Sequence, residues 1–149
     1  MRLLILGCSA TKRPDAELLP AILRYDGPAV RTLRRWQRDH PDQTGTLDLL
    51  FLSAQFGLIG GDTPIPFYDH RMTASRAVWL RSQVRSRLVR QLATRAYTST
   101  FINLGTDYLP ALPPDPDSMP RLGQVCYAIG GIGARLGQLK RWLDASAPR

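Results

Sequence analysis

Residues 52–72, LSAQFGLIGGDTPIPFYDHRM, place a serine, an amide, two carboxylates, a tyrosine and a histidine directly after an apolar run. Gly60 and Gly61 suit a tight turn, and Pro64 and Pro66 stiffen the chain that follows. A rigid loop bearing acids positions a carboxylate for acid–base work, so Asp62 and Asp69 are the candidate catalytic acids. Either also reads as a turn cap. Tyr68 suits stacking on a base or covering the core, and Ser53 and Gln55 are candidate ligand contacts.

Three further stretches carry polar chemistry. GCSATK (7–12) offers backbone N–H groups, the Ser9 hydroxyl and the Lys12 ammonium to an anion, and reads equally as an ordinary strand exit. Lys12 is also a third candidate catalytic group. Cys8 has no base near it in sequence, which argues against a nucleophile. Asn103 is followed by Gly105, Asp107 and Tyr108, and Tyr127 by IGGIGAR (129–135), where Gly131 and Arg135 suit an anion-holding turn at a helix start. That glycine spacing is neither a P-loop nor GxGxxG, and close backbone packing explains it as well. His40 and His70 lack partners at metal-ligand spacing, so no metal or other cofactor is expected.

Four apolar runs must position these groups: 2–8, 47–54, 99–105 and 123–130. Their near-continuous apolar character predicts strands covered on both faces, as in a parallel sheet. Between them lie helical patterns. Pro28 suits a first helical position before Ala29, Val30, Leu33 and Trp36, and HPDQTG (40–45) ends that helix. Thr73 or Ser75 caps a longer helix to about residue 95, with Ala77, Leu80, Val84, Leu88 and Leu92 as its stripe. A last helix starts near Ile132, with Leu136, Leu139 and Leu143 inward. Residues 109–120 carry five prolines and read as a loop, and 144–149 as a frayed end. The expectation is one α/β domain over residues 1–149, a small three-layer fold with a mostly parallel four-stranded sheet. Ligands of such sheets bind beyond the carboxyl ends of the strands. Here each predicted strand ends in polar or glycine-rich residues.

Composition narrows the function classes. The 149 residues are 44% hydrophobic, enough for one core, and no apolar run is long enough to span a membrane. The first apolar run ends in Gly-Cys-Ser, which reads as a strand and not a leader. Cys8 and Cys126 fit reduced thiols in a cytoplasmic protein. The net charge is +8, and arginine supplies nearly all of the positive charge. Seven arginines and no acid occupy residues 70–106, a block of forked donors suited to phosphate oxygens. Arg76, Arg81, Arg85, Arg87 and Arg90 are therefore candidate contacts to a nucleic-acid backbone.

Residues 47–72 resemble the central signature of the YaaA-like proteins, a strand, then Leu-Ser-x-x-Phe-Gly-Leu, then a loop with a tyrosine and an acid. RYDGPA (24–29), INLGTDYL (102–109) and YAIGGIGARLGQL (127–139) are similar to further segments of that family, in the same order. The resemblance adds Tyr25 to the candidate ligand contacts. It also implies an association with oxidative stress and DNA binding. The Cys-Ser-x-x-Lys start resembles the core domain of archaeosine synthase, and with it implies a uracil-DNA-glycosylase-like architecture and nucleobase chemistry. The leading expectation is a nucleic-acid-directed protein, DNA more than RNA, with a strand-end pocket for a base or nucleotide and activity on an N-glycosidic bond. The alternatives are a non-catalytic DNA-binding stress-response module, and a transferase acting on a free nucleotide or base.

Overall fold

In the computed structural model, residues 1–116 and 119–145 are described. Strand β1 (Arg2–Gly7) opens the chain, followed by the two-residue β2 (Leu19–Pro20), a single turn α1 (Ala21–Arg24) and α2 (Pro28–Asp39). Strands β3 (Leu47–Ser53), β4 (Gly57–Gly60) and β5 (Pro64–Ile65) precede the long α3 (Ala74–Thr94). Then come β6 (Ser99–Asn103), β7 (Gln124–Tyr127) and α4 (Ile132–Asp144), with 3-10 turns at Thr106–Ala111 and Pro120–Leu122. Of the expected frayed end at 144–149, Asp144 is still part of α4, while residues 146–149 and residues 117–118 of the proline loop lie outside the described residues.

The central sheet runs β4-β3-β1-β6-β7, all parallel except β4. Its register sets Gly7 beside Leu52, Leu6 beside Asn103 and Ile102 beside Tyr127. The pleat then decides the layers. Leu3, Ile5, Leu50, Leu52 and Ile102 pack on one face against Ala77, Leu80, Val84 and Leu88 of α3. Leu4, Leu6, Phe51 and Phe101 pack on the other against Val30, Leu33 and Trp36 of α2 and Leu139 and Leu143 of α4. The predicted caps are in place: Thr73 accepts the Arg76 N–H, and Pro28 stands at the start of α2.

The sheet has five strands where the sequence predicts four. The extra one, β4, falls inside the segment read as a loop, and LSAQFGL shows how. Ser53 Oγ accepts the N–H groups of Gln55 (3.2 Å) and Phe56 (3.1 Å), curling the chain into a tight turn. Gly57 then adopts φ 74°, and a Cβ there would stand 2.1 Å from Gln83 Oε1. That same oxygen accepts the Leu58 N–H at 3.0 Å, which starts β4 back along β3. Motif and strand are therefore one device, a hairpin that sends the chain to the opposite edge of the sheet before it returns.

Candidate functional site

Because β1, β3, β6 and β7 are parallel, their carboxyl ends share one edge. The chain leaves β1 toward β3 and leaves β6 toward β7, so β1 and β6 meet at the topological switch point. A cleft of about 200 Å³ opens there. Gly7 and Cys8 come from β1 and its exit, Asn103 and Gly105 from β6, and Tyr108 from the 3-10 turn. The first turns of α2 (Pro28, Ala29) and α4 (Ile132, Arg135, Leu136) close its sides. Neither helix start has a side-chain cap or an acid in its first turn, so both present the positive end of the helix dipole.

Cys8 sits in the wall between this cleft and a second cluster. Tyr108 gives its one proton to the Cys8 carbonyl (2.9 Å), so the 3.2 Å contact between Tyr108 Oη and Cys8 Sγ has the thiol as donor. This ties the Cys8 side chain to the 3-10 turn that carries Tyr108. On its other side Cys8 packs against the apolar cluster that contains Tyr25 and is lined by Tyr68. Tyr68 Oη lies 2.5 Å from Tyr25 Oη and 2.8 Å from Ser53 Oγ. The Lys12 ammonium stands 4.7 Å from the centre of the Tyr68 ring. Burial pushes the Tyr25 hydroxyl up to about 12, and pushes those of Tyr68 and Tyr108 up as well, so all three remain protonated donors at neutral pH.

The segment from Ser9 to Gly27 is fastened around these groups. Lys12 pairs with Tyr25 as an isolated antiparallel bridge, and the Asp26 N–H donates to the Thr11 carbonyl at 2.9 Å. Ser9 Oγ donates to that same carbonyl at 2.5 Å, while its Cβ would stand 2.8 Å from a Cβ on Gly27. Arg24 is fully buried. Its guanidinium donates to the carbonyls of Arg13 (2.6 Å), Asp15 (2.9 Å), Glu17 (2.6 Å) and Ile65 (3.3 Å). Sequence reasoning missed this residue, because backbone acceptors leave no trace in residue identity. The Asp26 carboxylate is held below the usual range by Arg31 and Arg34.

Several expected contacts lie elsewhere. Asp62 follows β4 to the opposite end of the sheet. Its neighbours there include Asp48, Arg87 and Arg95, around a groove of about 460 Å³, with the Gly61 N–H bonded to Leu49 O. It does not reach the crevice. Tyr127 turns to the α3 side, beside Arg81, Leu109 and Pro110. Gln55 is exposed and accepts from His70 Nδ1 at 2.7 Å, and Asp69 is exposed beside Tyr68. Gly131 serves as the N-cap of α4 and has open space around it.

The arginine block is divided. Arg76 donates to Ala54 O (2.7 Å) and Gln55 O (3.4 Å) and stacks over Trp79. Arg81 donates to Pro110 O and Arg87 to Gln91. Those three hold the chain to itself, while Arg85 and Arg90 are exposed on α3. No cluster of three or more metal-ligating side chains occurs among the described residues, and no helix among them is long and apolar enough to cross a membrane. In comparisons with known proteins, the chain matches no family model and no curated protein.

Proposed function

We propose that this chain binds a nucleotide or nucleobase in the crevice between β1 and β6 and works on or against nucleic acid, DNA more than RNA. The cleft at the switch point carries this reading. Its volume of about 200 Å³ falls below the roughly 300–1,000 Å³ of drug-sized sites, a scale suited to one ring system. Leu6, Ala29, Leu136 and Ile132 offer apolar walls, and Asn103 offers the amide that reads a base edge. Arg135 and two uncapped helix starts favour an attached phosphate. The YaaA-like resemblance and a glycosylase-like architecture belong to the same reading, and two unpaired thiols favour a reducing, cytoplasmic setting.

Binding is favoured over N-glycosidic cleavage. Among the described residues no carboxylate lines the cleft, so a developing oxocarbenium would lack its stabilising acid. Asp69, adjoining Tyr68, is the carboxylate that keeps a hydrolytic reading testable: loss of base release in Asp69→Asn, with binding retained, would establish it.

The test is titration with nucleosides, nucleotides and short oligonucleotides across a salt series. Leu136→Trp should fill the cleft and abolish nucleoside binding, and Asn103→Leu should weaken it about tenfold. Nucleoside binding that survives Leu136→Trp in a folded variant places the ligand elsewhere and refutes the reading.

A further inference from the structure

We infer that Tyr68 and Lys12 form an oxyanion subsite for a phosphate group, with Ser53 and Tyr25 holding the Tyr68 proton outward. The proton count of the three hydroxyls carries the argument. Ser53 Oγ already accepts two backbone N–H groups, which occupies both of its lone pairs. Its own proton therefore goes to Tyr68 Oη, 2.8 Å away.

Tyr25 is fully buried, its hydroxyl faces Tyr68 Oη and Ser53, and the two lone pairs of Ser53 are already taken. If Tyr68 donated to Tyr25, the Tyr25 proton would have no acceptor in the core, an arrangement buried hydroxyls avoid. Tyr25 therefore donates to Tyr68. Tyr68 Oη then accepts twice, and its own proton is the one left over. Ser53 and Tyr25 are fully buried and Tyr68 is half-buried, so that proton's way out is toward solvent.

What waits outside is positive. The Lys12 ammonium covers the Tyr68 ring and takes no part in the ion pairs among the described residues, which join Arg13 to Asp15, Arg31 and Arg34 to Asp26, and Arg95 to Asp48. A hydroxyl donor fixed from behind and an ammonium without a carboxylate both call for a charged acceptor. Phosphate fits, as the free ion or as the phosphomonoester of a nucleotide whose base enters the neighbouring cleft. The nucleotide source rests on the function proposed above; the subsite does not.

The experiment is calorimetric titration of the full chain with inorganic phosphate, adenosine 5′-monophosphate and adenosine. Phosphate should bind, and Tyr68→Phe and Lys12→Met should each weaken it about tenfold, the latter with a shallower salt dependence. Tyr25→Phe should weaken phosphate two- to threefold by releasing the Tyr68 proton from its fixed direction. A rise in phosphate affinity in Tyr25→Phe means that Tyr68 donates inward and overturns the proposal, as does unchanged affinity in a folded Tyr68→Phe or Lys12→Met. If phosphate binds in a Tyr68-dependent way and adenosine adds nothing, the subsite stands and the nucleobase reading falls. If adenosine and the monophosphate bind equally and phosphate does not bind, the subsite falls and the nucleobase reading stands.

Discussion

Replacing Arg24 with methionine tests whether the segment that carries Lys12 is built as described. The side chain is fully buried and its guanidinium donates to four carbonyls, three of them at 2.6–2.9 Å. A hydrogen bond to a charged group contributes about 1.5–3 kcal/mol, and three at the low end total roughly 4–5 kcal/mol. Methionine also avoids the cost of burying a cation, and the carbonyls of Arg13 and Glu17, on exposed residues, can regain water. The net loss should then be about 2–3 kcal/mol. For a chain of this size that lowers Tm by roughly 5–10 °C. Chemical denaturation should show a lower midpoint at unchanged slope. Phosphate affinity should fall to the level of Lys12→Met, since the ammonium loses its anchor. Arg24→Lys should rescue neither property, because one ammonium cannot span carbonyls on both sides of the loop. A stability loss below about 1 kcal/mol, or wild-type phosphate affinity in Arg24→Met, would show that the loop holds its shape without this residue.

Two other perturbations probe the hairpin and the buried hydroxyls. Gly57→Ala forces a Cβ toward the Gln83 amide at φ 74°, and should cost about 2–3 kcal/mol, read as a lower denaturation midpoint; an unchanged midpoint would mean that the turn relaxes freely. Tyr25, pushed from 10.0 up to about 12 by burial, contributes stability that is fully present below pH 10 and lost as pH rises through 12, because the unfolded chain releases its phenolic proton first. The unfolding free energy should therefore fall by about 1 kcal/mol at pH 11 and about 3 kcal/mol when the loss is complete, read from denaturation at each pH, with Tyr25→Phe removing that part of the decline.

The main strands were legible because burial on both faces leaves continuous apolar runs, as in RLLILG and LDLLFLS. Helix starts were legible where a side chain does a local task, as Thr73 and Pro28 do. Strand β4 was not, since GLIG is four residues bounded by glycines and its pairing partner is known only once the Ser53 turn is in place. The misplacement of Asp62 follows from that single omission: a reversed strand carries its next residues to the far end of the sheet. Tyr127 was lost to the pleat, where a shift of one residue exchanges the faces. The buried role of Arg24 was invisible for another reason. In a chain this rich in arginine, the one that is pinned inside looks like those outside until its backbone acceptors are placed around it.

Lys12 and Tyr25 are thirteen positions apart, yet both reach Tyr68, and the backbone is what sets them there. Their isolated bridge, together with the Arg13 N–H to Arg24 O bond and the Asp26 N–H to Thr11 O bond (each 2.9 Å), runs the exit of β1 antiparallel to the entry of α2. In such a pairing successive side chains alternate faces, so the bridge that turns Tyr25 into the core fixes on which side the Lys12 ammonium emerges. Gly27 extends the same pairing, leaving space for Ser9 where a larger residue would push the strands apart. One inserted residue between Lys12 and Arg13 would keep every functional side chain in the sequence and still move the ammonium off the Tyr68 ring. The constellation is thus a property of register. Substitutions that disturb the pairing of residues 9–13 with 24–27 should weaken anion binding as much as removing Lys12 itself.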